Sequence, residues 1–387
     1  MERSEEIGEK AGRLEAWLAG ERLDVALLRT QANFSWMTGG RSNAIDLSQP
    51  LGVATLLVAR GGRRWVIADA IEMDRLLREE LPGQWRPVEI PWAEGQADPD
   101  LAVKKAREVL GTGATLAADW PVGDARACPD EIRRLRSRLT PGEIERLRAL
   151  GRDAGEALGE VCRNLRPGLS EVEIARRTAT ALADRGADPV VLLVGAGERL
   201  ERFRHPVPTA HRWDRGGVMV VACPRREGLT VALTRIVWAG PVPEEIRRRT
   251  QAAARVNARL LAATRAGVRA SELFAVAARA YAELGFPREE ERHHQGGAIG
   301  YLSRDWIAHP ESTEVVESPQ AFAWNPSITG TKVEETWIVD GGEAEAVTCT
   351  PGWPGLEVEE DGRLYKVPDV VSTEHLDPAR VSRPKTI

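Results

Sequence analysis

Six histidines and one adjacent pair of glutamates are the residues of this 387-residue chain from which reaction chemistry is most readily built. An imidazole, with an unperturbed pKa of about 6.5, can take a proton from water and return it to a leaving group at neutral pH. His205 sits in Arg204-His205-Pro206, where the proline restricts the preceding backbone to extended conformations and so fixes where the ring points. His293-His294-Gln295 precede Gly296-Gly297, a backbone that can approach a ligand closely. His211 lies in a polar turn, His309 precedes Pro310 in a loop, and His375 falls in a polar C-terminal stretch, so these three read as solvated side chains. Lone histidines often just complete a hydrogen-bond network, so for His205 and His293 a functional and a structural reading both stand at this point.

Glu334-Glu335 stands directly before a β-prone Thr-Trp-Ile-Val run. Strand alternation sends the two carboxylates to opposite faces, and only one of them can face a site inside the sheet. An edge strand would leave both acids in water. The neighbours Val333, Trp337, Ile338 and Val339 instead imply a covered strand, where an acid must be paired or ligand-bound. No Ser/His/Asp triad, phosphate loop or dinucleotide-binding glycine pattern is present. Cys128, Cys162, Cys223 and Cys349 lack CxxC or CxxH spacing and read as ordinary buried thiols, not a zinc site or disulfide framework.

The elements that must position these residues fall into two parts. In the first, Ile7, Ala11, Leu14 and Leu18 recur at helical spacing, and Val25 to Leu28 begins a strand. A hairpin is expected over 52–58 and 64–68, turned at Gly61-Gly62, with helices over 70–81, 101–110 and 131–139 and a strand near 116–120. Thr140-Pro141-Gly142-Glu143 then supplies an N-cap, a proline at the first helical position and a glutamate three residues after the cap, which opens a new long helix and sets a domain boundary near Leu139. Beyond it the order helix, helix, strands occurs twice, once from Pro141 and once from Pro243, implying two similar halves around one sheet. The stretch 357–387 is polar and Pro-rich and reads as a tail.

Composition narrows the partners. A hydrophobic share of 42% fits a globular enzyme-sized protein, and 387 residues fit two domains. The 53 basic and 58 acidic residues are mixed along the chain without a basic stripe, which argues against nucleic acid. No apolar run approaches the ~20 residues that span a bilayer, so neither a signal peptide nor a membrane anchor is expected, and a cytoplasmic location is.

The segment order resembles the pita-bread family, which includes methionine aminopeptidase, prolidase, aminopeptidase P and creatinase. The resemblance rests on Thr140-Pro141-Gly142-Glu143-Ile144, Gly228 with Leu233-Thr234-Arg235, Gly297-Ala298-Ile299-Gly300, Asn325-Pro326 and Val333-Glu334-Glu335-Thr336. It implies an α/β (α+β) fold: a creatinase-like N-terminal α/β domain over 1–139, then a duplicated pita-bread catalytic-type domain over 140–356, with 357–387 as the tail. Peptidases of the family hold two divalent ions with two aspartates, a histidine and two glutamates. Those positions fall here on Val221, Ala232, Gly297, Asn325 and Glu334, so four of the five ligands are missing and no metal cofactor is expected.

Creatinase shows that the fold can hydrolyse a C–N bond with a histidine and no metal, and His205 resembles that histidine. Glu334 matches a creatinase glutamate that binds the substrate's guanidinium group. A second such glutamate falls on Thr234, which makes creatine itself a poor candidate. His293 and Arg304 occupy histidine positions of aminopeptidase P, while His294 and Gln295 have no clear counterpart. The resemblance thus implies a metal-independent, creatinase-like hydrolase of a small nitrogen-containing compound. His205 would be the general acid/base and Glu334 would pair with a cationic or amide group. His293, Asn325, Thr234, Tyr301 and Arg304 would contact the substrate. The alternatives are a pseudoenzyme that binds a ligand or partner and, less favoured, an Xaa-Pro peptidase-type metalloenzyme. A homodimer is also implied, with 33–41 as the N-terminal segment that would reach a partner's site.

Overall fold

The structure, a computed structural model, describes residues 1–81 and 85–375. They form two compact units, the first of described residues within 1–143 together with Glu227–Leu229, the second of Ile144–Arg226 together with the described residues from Thr230 onward.

The first unit is built on a six-stranded sheet. Its strands run, edge to edge, Arg86–Ile90, Arg64–Asp69, Leu51–Ala59, Val25–Thr30, Leu116–Ala118 and Arg126–Ala127. The expected hairpin turns at Gly61 and Gly62, whose φ angles of 81° and 78° are open to glycine at no steric cost. Helix Arg3–Glu21 buries the stripe Ala11, Leu14 and Leu18 that the spacing marks. The helix expected over 70–81 is shorter and wider than its pattern, a turn at Met73–Arg75 running into a π-helical turn at Leu76–Glu80. In the 33–41 segment, Phe34, Trp36 and Met37 are buried, and Asn33 is committed to Asp119 at 2.8 Å and Arg136 at 2.5 Å.

The long helix Pro141–Arg163 begins as its sequence directs. The Glu143 N–H donates to Thr140 Oγ1 at 3.3 Å, and the Thr140 N–H donates to the Glu143 carboxylate at 2.7 Å. The second unit then repeats its elements. Helices Pro141–Arg163 and Glu171–Ala183 precede strands Asp188–Ala196, Gly216–Arg226 and Leu233–Ala239. Helices Glu244–Ala263 and Ala270–Glu283 precede strands Gly296–Ile299, Gln320–Trp324 and Trp337–Asp340.

Hydrogen bonding divides these strands into two sheets rather than the single one expected. One runs Val371–Ser372, Leu233–Ala239, Gly216–Arg226, Asp188–Ala196; the other runs Gly296–Ile299, Gln320–Trp324, Trp337–Asp340, Glu343–Ala346. The reason lies at 333–336, which leaves regular strand geometry where the two sheets meet. There the Thr234 N–H donates to the Glu334 carbonyl at 3.2 Å, and the Thr336 hydroxyl bonds both the N–H and the carbonyl of Ala232, at 2.7 and 3.0 Å. Behind the second sheet, Phe322 and Trp324 pack with Trp306 and the inner faces of the last two helices.

The expected tail is largely ordered structure. Gly355–Glu360 and Arg363–Pro368 form a hairpin whose Tyr365 and Val367 join the core, and Val371–Ser372 adds a parallel strand beside Leu233–Ala239. The polar residues that made this stretch read as a tail lie on the outward positions of the hairpin, in the alternation of a one-sided ribbon. Residues 376–387 of the expected tail lie outside the described residues.

Candidate functional site

A cavity of about 290 Å³ in the second unit gathers much of the chemistry that the sequence singles out. His205, His294, Asn325, Arg304, Lys332 and Glu334 line it, with Ser303, Cys223 and an apolar wall of Val191, Leu193 and Val221.

Glu334 and Glu335 are both buried, so neither is a solvated edge acid. They do not sit on a regular strand, yet their side chains still part. Glu335 is held by Arg235 at 2.7 Å and by the Thr348 hydroxyl, on the far side from the cavity. Glu334 accepts from Arg304 at 2.8 Å, from the Thr234 hydroxyl at 2.6 Å and from the Lys332 ammonium at 3.0 Å. Burial by itself would raise the Glu334 carboxyl. Lys332, Arg304 and the Thr234 hydrogen bond outweigh it and hold the group at about 2. A carboxylate this fully matched has no charge left for a cationic substrate group, which corrects the role its sequence position implied. Two cationic side chains against one carboxylate leave the pocket with a cationic excess.

The histidines form a second cluster beside this ion group. His205 and His293 face each other Nε2 to Nε2 at 3.0 Å, and His293 Nδ1 lies 3.2 Å from the Ser327 hydroxyl. Ser327 is fixed in turn by Tyr281, whose hydroxyl accepts from the Ser327 N–H at 2.9 Å and donates to Gln295 Oε1 at 2.8 Å. The Gln295 amide donates to the His293 carbonyl. His294 stacks on His293 with ring centroids 4.4 Å apart, and its Nδ1 accepts from the Gly296 N–H at 3.2 Å. Burial and the positive charge of Lys332 lower the basicity of His205 and His293. Burial, then Arg304 and Lys332, bring His294 down to about 4. In all three rings these surroundings favour the uncharged form. Cys223 is a poor nucleophile, because burial pushes its thiol up to about 11.

Of the residues that the sequence put forward, His205, Asn325, Arg304 and Glu334 meet on one cavity wall. His293 lies just behind it, bonded to His205, and Thr234 reaches the site only through Glu334. Tyr301 is 3% exposed, and among the described residues it is not part of the cavity lining, so its expected substrate contact is not supported. Lys332, Ser327 and Tyr281 are additions that the sequence reading lacks, and His294, named there without a role, joins the lining. Lys332 stands two residues before Glu334, and that spacing carries the signal. His211, His309 and His375 are all exposed, and all three lie outside the cavity wall.

The residues at the five implied metal-ligand positions do not fit a dinuclear metal centre. Val221 and Ala232 are buried and have no donor atom. At Gly297 a side chain has no room, because an added Cβ would collide with the Trp306 carbonyl oxygen and lie 3.0 Å from the carbonyl carbon. Asn325 offers a neutral amide whose Oδ1 has no hydrogen-bond partner, and Glu334 is saturated by two cations. One carboxylate facing two fixed positive charges is the reverse of what divalent ions need.

The profile of Metallopeptidase family M24 matches residues 145–361. Among solved structures, the chain is similar to an X-Pro aminopeptidase from Thermotoga maritima, with a TM-score of 0.72 and 20% identity, covering 88% of this chain and 98% of that one. It is also similar to a prolidase from Pyrococcus horikoshii, with a TM-score of 0.73 and 17% identity over 88% and 98%. An Xaa-Pro dipeptidase from Bacillus anthracis gives a TM-score of 0.73 and 19% identity over 95% and 99%. No curated protein matches the sequence. Identities this low speak to the fold alone, but the matched segment is more than half of the chain, and by it the protein belongs to the metallopeptidase family M24, with the pita-bread fold of that family.

Proposed function

We propose that this member of a hydrolase family cleaves a C–N bond of a small nitrogen-containing compound without a metal ion, with His205 as the general acid/base. The observation that carries the reading is the pairing of a hydrogen-bonded His205–His293 couple with two buried polar atoms that lack partners, Asn325 Oδ1 and Arg304 Nε, on residues of the same cavity. A buried acceptor and a buried donor left open each cost about 1–3 kcal/mol, and a ligand bearing both N–H and C=O, such as an amide or urea, supplies what they lack. The cationic excess of Arg304 and Lys332 over Glu334 favours a ligand that also carries an acidic or carbonyl group.

In the reaction, His205 takes a proton from a water molecule as its oxygen adds to the carbon. It then gives that proton to the nitrogen as the C–N bond breaks, so that no net proton remains on the enzyme. His293, oriented by Ser327, holds the His205 ring, and Glu334 keeps Lys332 and Arg304 in place. The test is turnover of a panel of amide, urea, amidine and guanidino compounds in excess chelator, with His205→Ala as control. Product formation that needs added metal, or that survives His205→Ala, overturns the reading.

A second reading, a pseudoenzyme that binds its ligand without turnover, is favoured by one observation: His205 Nε2 is already engaged by His293. It is the better account if a panel compound raises the melting temperature and no product appears.

A further inference from the structure

We infer that His205, His293 and His294 form a single-ion site for a borderline transition metal, separate from the positions of the family's dinuclear centre. One ring nitrogen from each of the three lies within 4.8 Å of the others. Two imidazoles bound to one tetrahedral ion at about 2.0–2.1 Å hold their nitrogens about 3.3 Å apart. His205 Nε2 and His293 Nε2 stand at 3.0 Å, so a small opening of that pair admits an ion where the two rings now share a proton.

The surroundings match what such ligands require. His293 presents Nδ1 to the Ser327 hydroxyl, the outer-shell hydrogen bond that fixes a metal-binding ring and leaves Nε2 for the ion. His205 is exposed and gives the ion a route in. His294 is the weaker third ligand, since coordination through Nε2 moves its proton to Nδ1 and gives up the 3.2 Å bond from the Gly296 N–H.

Charge then selects the ion. Lys332 and Arg304 oppose any cation near His205, and Glu334 cancels only one of them. Hard ions such as Mg²⁺, Ca²⁺ and Mn²⁺, held mainly by charge and oxygen ligands, are excluded. Zn²⁺, Ni²⁺ and Cu²⁺, which gain most from imidazole, are accepted. Resting on the hydrolase reading above, an ion held here takes His205 out of proton transfer, so it inhibits.

Calorimetric titration of untagged protein with ZnCl₂ and NiCl₂ at pH 7.5 tests the site without any substrate. The expected result is one ion per chain, loss of uptake in His205→Ala, and weakening by about tenfold or more in Ser327→Ala. His294→Ala weakens binding. Lys332→Met strengthens it, because it removes an opposing charge beside the cluster. MnCl₂ gives no binding, and Cys349→Ser, which removes the exposed thiol, leaves zinc uptake unchanged. The inference is overturned if wild type takes up neither ion, or if His205→Ala and Lys332→Met bind as wild type does. Uptake without turnover of any compound sinks only the hydrolase reading, and turnover without uptake sinks only the site.

Discussion

Lys332 places its ammonium 3.0 Å from Glu334, on the carboxylate whose other oxygen Arg304 holds at 2.8 Å. Glu334 is thus the counter-ion of two cations, the buried Lys332 and the half-buried Arg304. Lys332 and Glu334 are 5% and 1% exposed, so neither charge has water to fall back on.

Removing that acid is therefore costly. Glu334→Gln leaves two cations facing each other without a counter-charge, and the expected loss is about 3–5 kcal/mol of unfolding free energy in urea titration. Lys332→Met, which keeps the Arg304 pair, loses less. The pH dependence has a definite sign. The Glu334 carboxyl titrates at about 2 when folded, against an ordinary 4.5, so its contribution is complete above pH 4.5 and fades as pH falls toward 2. Melting temperatures of wild type and Glu334→Gln, apart at pH 6, converge across that interval. Curves that stay parallel contradict the ion group as drawn.

Tyr281 is fully buried, and its hydroxyl is the knot between Ser327 and Gln295. Tyr281→Phe keeps the ring packing and strands a buried N–H and a buried amide oxygen. About 1–3 kcal/mol of stability is expected to go, as read by chemical denaturation. With Ser327 loosened, the NMR signals of the His293 ring shift as well. An unchanged His293 spectrum would detach the knot from the histidine cluster.

His205→Ala removes an exposed ring and leaves the melting temperature nearly unchanged, while the proposed C–N hydrolysis falls about 100- to 10,000-fold. Wild-type turnover is expected to be the same in chelator as in added Mn²⁺. A rate that rises with Mn²⁺ returns the chain to the metal-dependent majority of its fold.

The fold was legible wherever local chemistry decides it. The capping box at Thr140 and Glu143, the glycine turn at 61–62 and the doubled helix-helix-strand order all appear where the residues place them. The site was legible in part. His205, Asn325, Arg304 and Glu334 share a wall, but Lys332 was passed over although its place two residues before Glu334 puts both side chains on one face of an extended chain. His294 was named in the sequence without a role. In an extended segment it would point away from His293, yet the chain turns at 291–292 and bends at His293, and the two rings stack. Tyr281 looks like any apolar helix position, since its partners are 14 and 46 residues away. The 357–375 stretch read as a tail because a one-sided ribbon shows the sequence mostly polar residues.

Restoring the missing histidine tests the steric argument directly. Gly297→His is expected to lower stability by more than about 3 kcal/mol and to bind no Mn²⁺ or Co²⁺ even alongside Asn325→Glu, because backbone rather than a movable side chain meets the new Cβ. Calorimetry and thermal melts read both outcomes.

The carbonyl of Trp306 beside Gly297 also sets what the pocket can be made into. Val221 and Asn325 carry side chains already, so a different one can be placed there by a single substitution. A main-chain oxygen standing where the Gly297 side chain would go is not moved by any substitution at 297 itself. Redesign of this pocket therefore has to start from the backbone of the segment that carries Trp306, and side-chain exchange alone reaches only positions such as Val221 and Asn325.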